Sequence, residues 1–307
     1  MKIGKKLGWT AKHTGVLMRH HVSEHDTAPL MAAQAVKSAL ATASIEPSQV
    51  DLLICASGTF AQPIPCTAAL IHGELGWNKL AIPAFDVNCT CLSFLVALDI
   101  ASDAITLGRY NRVVIVSSEI ASRGLNWKEP EAAALFGDGA AAVVLERAGL
   151  GEDSKLIGSL METHSCGSNF TSIRGGGTSL HASHYSPERE DEFLFHMDGP
   201  PVFRLASQTM PNMVARLLES VGWTTDSIDQ VIPHQASLTA VRLLARRLGF
   251  SSKQIMETVT EHGNLIAASI PAALHLAIER GRLRRGDRLL LLGTSAGFTL
   301  AGSALIY

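Results

Sequence analysis

Apolar positions along the chain fall into two alternating patterns. Short unbroken runs, such as Val113-Val114-Ile115-Val116 and Leu289 to Leu292, read as strands covered on both faces. Leu98 to Leu107 and Ala272 to Arg280, each ahead of one of these runs, read as amphipathic or buried helices. Alternation of the two patterns predicts a layered α/β fold.

The pattern also repeats. Ala43-Ser-Ile-Glu-Pro-Ser-Gln-Val-Asp-Leu-Leu-Ile54 parallels Val221-Gly-Trp-Thr-Thr-Asp-Ser-Ile-Asp-Gln-Val-Ile232, each a helix end, a linker, Val/Ile-Asp and a strand. Glu74-Leu-Gly-Trp77 parallels Arg247-Leu-Gly-Phe250, and at that offset Cys91 falls opposite Asn264 and Gly108-Arg109 opposite Gly281-Arg282. Gly139 to Leu145 resembles Ala301 to Ile306. An ordered series of such matches indicates two copies of one unit, 1 to about 150 and about 151 to 307. The second copy opens on a strand-like segment, Lys155 to Met161, well before its first helix near Met213. In the first copy the helix begins near Met31, too soon for such a strand. That copy is therefore expected to lack its first strand, through a shorter natural start or a truncated one.

Composition narrows the class. Hydrophobic residues make up 47% and charged residues 18% of 307, which excludes a disordered chain. A net charge of -2 leaves no global basic footprint for nucleic acid. The stretch Leu289 to Tyr307 is uncharged and follows Arg284, Arg285 and Arg288, but Gly293, Gly297 and Gly302 divide it into strand, turn and strand, so no membrane anchor is expected. Met1 to Lys12 has no apolar centre, so no secretory leader is expected either. Five cysteines, odd in number and mostly in apolar segments, fit a reduced cytoplasmic setting. Their spacing matches no zinc template, and no metal site is expected.

Chemistry concentrates at three places. Asp86-Val-Asn-Cys-Thr-Cys91-Leu-Ser-Phe94 follows a strand and opens a helix, which puts Cys91 at a helix N-terminus. Free backbone N–H groups there are expected to lower the thiol pKa from about 8.5. The bland alternative is a small buried cysteine. Val231-Ile-Pro-His-Gln-Ala-Ser237 sets His234 at a strand-to-helix turn, and Glu261-His-Gly-Asn264 is a glycine turn entering another helix. The repeat predicts that His234 and Asn264 converge on Cys91.

At these residues the sequence resembles the thiolase superfamily, and most closely the β-ketoacyl-acyl carrier protein synthase III family. The resemblance runs from Trp9-Thr-Ala-Lys-His-Thr-Gly-Val16 to the end, through Asp86 to Phe94, Ser118-Glu119, Leu135-Phe-Gly-Asp-Gly-Ala-Ala-Ala142, Met197-Asp-Gly199, Pro233-His-Gln-Ala236, His262-Gly-Asn264 and Ala296-Gly-Phe-Thr299. It implies a duplicated five-layered αβαβα fold, a homodimer, and a catalytic group of Cys91, His234 and Asn264. It further implies acylation of Cys91 by a coenzyme A or acyl-carrier-protein thioester, then decarboxylative Claisen condensation with a malonyl thioester to a 3-oxoacyl thioester. Backbone N–H groups of Cys91 and Ala296 hold the oxyanion in that scheme, and no metal or redox cofactor is needed. Trp9, Ile64 and Phe298 are the substrate contacts it implies.

The chain departs from the family pattern at several positions. Leu265-Ile266 replaces Thr-Ser after Asn264, Ser237 replaces Asn, Ser93 replaces Gly, and Ile64 stands where an aromatic is frequent. Pro130 occupies the place of the arginine that sandwiches adenine against Trp9, which removes about 0.5–2 kcal/mol of adenine binding. Arg242, Arg246 and Arg247 are spaced along one helix as a candidate docking face for an acidic carrier protein, or as an ordinary solvated face. Two other readings stay open. One is acyl transfer from the same cysteine to a non-malonyl acceptor, including head-to-head condensation; the other is a non-catalytic partner subunit.

Overall fold

The computed structural model describes residues 3–307; Met1 and Lys2, where the segment read for a leader begins, lie outside them. The first sheet contains β1 (Leu52–Ala56), β2 (Ala84–Val87), β3 (Arg112–Glu119) and β4 (Gly139–Glu146), in the order β2-β1-β3-β4. The second contains β5 (Lys155–Thr163), β8 (Gln230–Pro233), β9 (Arg288–Ser295) and β10 (Thr299–Ile306), in the order β5-β10-β9-β8. A two-stranded ribbon, β6 (Thr171–Ser172) with β7 (His196–Met197), lies between them in sequence. The helices are α1 (Trp9–Thr14), α2 (Ala28–Ala43), α3 (Thr67–Glu74), α4 (Ser93–Thr106), α5 (Pro130–Ala133), α6 (Gly199–Ser220), α7 (Leu238–Arg247), α8 (Val259–His262) and α9 (Ser269–Glu279).

Strand alternation sorts the side chains into layers. Leu52, Ile54 and Ala56 of β1 and Ile232, Leu289 and Leu291 of β8 and β9 face one shared core with Leu95 and Leu98 of α4 and Ala273 and Ala277 of α9. Leu53 and Cys55 turn the other way, onto Val36 of α2 and Ile71 of α3. Val231, Leu290 and Leu292 turn onto Met210 and Met213 of α6 and Val241 of α7. The order is helix, sheet, helix, sheet, helix, so both faces of each sheet are covered and the strands read as continuous apolar runs.

The two sheets follow the same plan. Asp51 Oδ2 accepts the N–H groups of Asn111 and Arg112 at 2.7 and 2.9 Å, and Asp229 Oδ2 accepts that of Arg288 at 2.8 Å. The repeated Val/Ile-Asp therefore pins the start of β1 to β3 and of β8 to β9. Register pairs Glu119 with Gly139 and Ser295 with Thr299, so β3 and β4 superpose on β9 and β10 residue by residue. This register sets Gly139 opposite Thr299 and Leu145 opposite Leu305, shifting the sequence match of these strands to a single offset.

The sheets differ at one edge. β10 is hydrogen-bonded on both sides, to β9 and β5, and is largely buried. Among the described residues β4 pairs only with β3, and seven of its eight residues are half-buried. Leu289 to Tyr307 forms β9, a turn and β10, and among the described residues no helix is long and apolar enough to cross a membrane.

Candidate active site

Cys91 lies in a single 3-10 turn, Thr90–Leu92, which leads directly into α4. The turn is closed by side chains. Asn88 Oδ1 accepts the Thr90 N–H at 2.8 Å, and Ser93 Oγ accepts the Cys89 N–H at 2.9 Å while donating to the Thr90 carbonyl at 2.7 Å. The Ser93 hydroxyl thus braces the turn where the family has a glycine. Thr90 has φ of 47°, a left-handed conformation costly for a β-branched residue.

The second half builds the same turn around Asn264. Asn264 Oδ1 accepts the Ile266 N–H at 2.8 Å, Ser269 Oγ accepts the Leu265 N–H at 3.0 Å, and Ile266 has φ of 50°. These matches pair Asn88 with Asn264 and Cys91 with Ala267, which corrects the sequence register that set Cys91 opposite Asn264. The physical reason is a compensated shift. Three extra residues lie before Asn264, and α9 is shorter than α4, 11 residues against 14, so the flanking matches agree while the turn between them slides.

Asn264 is held from both sides by backbone. Its N–H donates to the Leu135 carbonyl at 2.8 Å and its carbonyl accepts the Gly137 N–H at 3.1 Å. With Oδ1 engaged in its own turn, the amide nitrogen is the free donor. Leu265 packs on the glycines at the entry to β4, where a Cβ on Gly139 would lie 3.1 Å from Leu265 Cδ1. The Leu-Ile pair that replaces Thr-Ser therefore fills space against the Gly-Asp-Gly loop.

His234 follows β8, and its N–H donates to the Leu292 carbonyl at 2.7 Å. Its side chain is buried, and burial pushes the imidazole down to about 4, so it is neutral at neutral pH. Nδ1 has no hydrogen-bond partner among the described residues. His234 and Asn264 line one cavity of about 540 Å³. Its walls are mainly apolar side chains of α6 and α7, among them Phe203, Ala206, Ala240 and Leu244. Cys91 is not among the lining residues. Its turn meets the wall at Gly293, where an added Cβ would lie 2.7 Å from Leu92 Cδ2 and 3.1 Å from His234 Cβ.

The thiol behaves opposite to the sequence expectation. Enclosure by apolar groups pushes Cys91 up to about 12, and the nearby Glu119 charge adds to the rise. A single 3-10 turn contributes little dipole, and desolvation of a thiolate outweighs it. The ends of the cavity also depart from expectation. Ile64 sits on a surface loop, 85% exposed, and does not line the cavity. Phe298 is a core residue, 2% exposed, packed with α6 and close under Gly167, so it is no substrate contact here. Trp9 begins α1, its ring stacked on His13 with centroids 4.4 Å apart and Lys5 Nζ 5.6 Å from its centroid. Pro130, which stands where the family arginine was expected, is the first residue of α5 and carries no charge. Ala296 lies in the β9–β10 turn, and Ser295 Oγ donates to its carbonyl at 3.1 Å. Arg242 is paired with Glu257 at 2.8 Å, which removes it from a free basic face. Arg246 and Arg247 remain exposed, each bonded to a backbone carbonyl.

Two buried titratable groups oppose each other in stability. Below pH 6.5 an unfolded chain protonates His234, which the folded chain refuses until about pH 4. Acid therefore removes about 3 kcal/mol of stability across that window. Glu119 is raised from 4.5 to about 7, chiefly by burial, so its contribution is full below pH 4.5 and lost as pH rises through 7, again about 3 kcal/mol. Between about pH 4.5 and 6.5 the two slopes cancel. H234Q should expose the Glu119 slope, with stability falling from pH 4.5 to 7. E119Q should expose the His234 slope, with stability rising from pH 4 to 6.5. Chemical denaturation at stepped pH reads both.

Comparison with known proteins agrees with this architecture. Residues 85–165 match the 3-oxoacyl-[acyl-carrier-protein (ACP)] synthase III family, and residues 218–307 match its C-terminal part. The chain is 35% identical to β-ketoacyl-[acyl-carrier-protein] synthase III of Anaplasma marginale, over 97% of this chain and 89% of that protein. It is 32% identical to the enzyme of the same name from Symbiobacterium thermophilum, over 97% and 88%. Among solved structures it resembles 3-oxoacyl-[acyl-carrier-protein] synthase III from Aquifex aeolicus VF5, with TM-score 0.87, 30% identity and 99% and 92% of the two chains covered. The corresponding structure from Pseudomonas aeruginosa PAO1 gives TM-score 0.88 at 28% identity, covering 100% and 91%. OleA of Xanthomonas campestris, 24% identical with TM-score 0.84 over 100% and 90%, shares the fold. The chain belongs to the β-ketoacyl-[acyl-carrier-protein] synthase III family and is an acyltransferase that condenses acyl thioesters.

Proposed function

We propose that Cys91, His234 and Asn264 carry the reaction in two stages. Cys91 attacks an acyl thioester, the acyl carbon–sulfur bond of the donor breaks, and the thiol proton leaves with the departing thiol. A malonyl thioester then enters the cavity and loses carbon dioxide. The negative charge that develops on its thioester oxygen is met by a neutral imidazole N–H of His234 and the free amide of Asn264. The carbanion attacks the acyl-cysteine carbonyl, the bond from that carbon to the Cys91 sulfur breaks, and the 3-oxoacyl thioester leaves while the released thiolate takes a proton from solvent. Backbone N–H groups of Cys91 and Ala296 are the proposed oxyanion donors.

The observation that carries this reading is that His234 and Asn264 line the same apolar cavity, with the cysteine turn packed against its wall at Gly293. In such surroundings two neutral donors are worth more than in water. Intact-mass measurement across a panel of acyl thioesters tests it. The expected result is one acyl adduct, mapped to Cys91, and failure of every thioester to add would overturn the assignment. Release of labelled carbon dioxide from a malonyl thioester separates condensation from transfer to another acceptor.

Two associations accompany this reading. A homodimer is supported by the open edge of β2, which exposes Phe85, and by the neighbouring loop, which exposes Phe60 and Ile64. The loop leads into α3, whose Thr67 and Ala68 N–H groups are fixed to Asp86 of β2 at 2.8 and 2.7 Å. Sedimentation should give twice the chain mass. Carrier-protein docking is carried by Arg246 and Arg247 beside the cavity. Reversing both charges should raise KM about fivefold to tenfold for a carrier-borne thioester and leave a small thioester unchanged. Equal effects on both substrates would reject the docking role. The five free cysteines accord with a reduced, cytoplasmic setting.

A further inference from the structure

Glu119 ends β3 with its side chain fully buried. Its carboxylate accepts four hydrogen bonds, from the N–H groups of Gly58 at 2.7 Å, Thr59 at 2.9 Å and Ala267 at 3.3 Å, and from Thr59 Oγ1 at 2.6 Å. Gly58 and Thr59 follow β1, whereas Ala267 belongs to the Asn264 turn. Gly58 in turn lies against both strained residues. A Cβ there would stand 2.8 Å from Ile266 Cγ2 and 3.2 Å from Thr90 Cα. Thr90 and Ile266 flank Cys91 and Asn264, and their left-handed backbones persist only if neighbouring structure holds them.

The charge is not a requirement of the architecture. Ser295 occupies the same register position in the second sheet and is neutral. A buried carboxylate is costly even when satisfied, so its use in one half alone needs a local reason. The titratable groups packed around it are Cys55 of β1 and Cys91 in the nucleophile turn, with Cys89 beside Cys91. The loop at Gly58 and Thr59 and the segment Leu265 to Ala268 contribute none.

We infer that Glu119 is a positioning residue that locks the Asn264 turn to the nucleophile turn through Gly58 and, when ionised, opposes ionisation of the Cys91 thiol. The inference rests on the roles proposed above for Cys91 and Asn264. Glu119 is raised to about 7, so its charge develops within the working range and acts on Cys91 as the pH rises. Protonated, it retains an acceptor oxygen for the clamp but no longer repels a thiolate.

E119Q tests the inference with two measurements. The first is the pH profile of iodoacetamide alkylation, read by peptide mass, with exposed Cys166 as internal reference. The Cys91 profile should move about one unit lower, so that alkylation at pH 8 is about tenfold faster, while the reference stays in place. The second is steady-state condensation, which should fall about tenfold or more with acylation of Cys91 largely retained. T59V keeps the backbone clamp but removes the hydroxyl bond that favours the charged carboxylate. It should shift the Cys91 profile the same way, by less, with condensation largely kept, and it carries the test if E119Q does not fold. A Cys91 profile coincident with wild type in the folded variant would overturn the electrostatic role, and undiminished condensation in E119Q would overturn the clamp. If no thioester acylates wild-type Cys91, the proposed function fails, while the alkylation comparison still decides what Glu119 does to the thiol.

Discussion

C91A is expected to abolish the acyl adduct and to lower condensation by about a thousandfold or more, because the route through a covalent intermediate is lost. Malonyl decarboxylation should survive, since the donors assigned to that step are on His234 and Asn264. The wild-type thiol should also be unreactive at rest. Raised to about 12, it is thiolate in only about one molecule in 10⁴ to 10⁵ near pH 7.5. Iodoacetamide should therefore label exposed Cys166 well before Cys91, with the Cys91 rate still climbing above pH 9. Acylation then requires that the proton leave as the bond forms, not beforehand. An adduct of C91A with an acyl thioester, or Cys91 labelled first at pH 7, would contradict this account.

H234A should lower decarboxylation by about a hundredfold to a thousandfold, the usual cost of removing one donor from a developing oxyanion. N264A should cost a similar factor, and the double variant less than the product, because both donors serve one oxygen. The pH profile discriminates the mechanism further. An imidazole lowered to about 4 stays neutral across the working range. It donates from its single N–H throughout, so decarboxylation should show no inflection near 6.5 and should change on account of His234 only below about pH 5. A free-histidine inflection near 6.5 would show that water reaches the ring and that the cavity is wetter than its apolar lining implies. H234A with undiminished carbon dioxide release would remove the residue from this role.

Several features of this site were legible in residue order and several were not. The strand-turn-helix placement of Cys91, the turn at His234 and the glycine turn before Asn264 all appear where local pattern puts them. Periodicity exposed the duplication because each copy must bury the same faces. The register within the turns was invisible, since three extra residues before Asn264 and a helix three residues shorter cancel in any match of the flanks. Ile64 and Phe298 were assigned to substrate by position in a motif, yet one lies on the surface and the other in the core. Glu119 had only its membership of Ser118-Glu119 to mark it. No spacing rule shows that its carboxylate joins Gly58 to Ala267, residues 209 positions apart in the numbering.

Residue order by itself determined the layered α/β class, the two-copy plan and the three side chains proposed to react, because these follow from periodicity and from functional groups carried by particular residue types. The tertiary structure alone decided the ionisation of those groups, the exclusion of Ile64 and Phe298 from the cavity, and the link through Glu119. Each of these depends on how much water and which charges surround an atom, and that environment is assembled from segments distant in the chain.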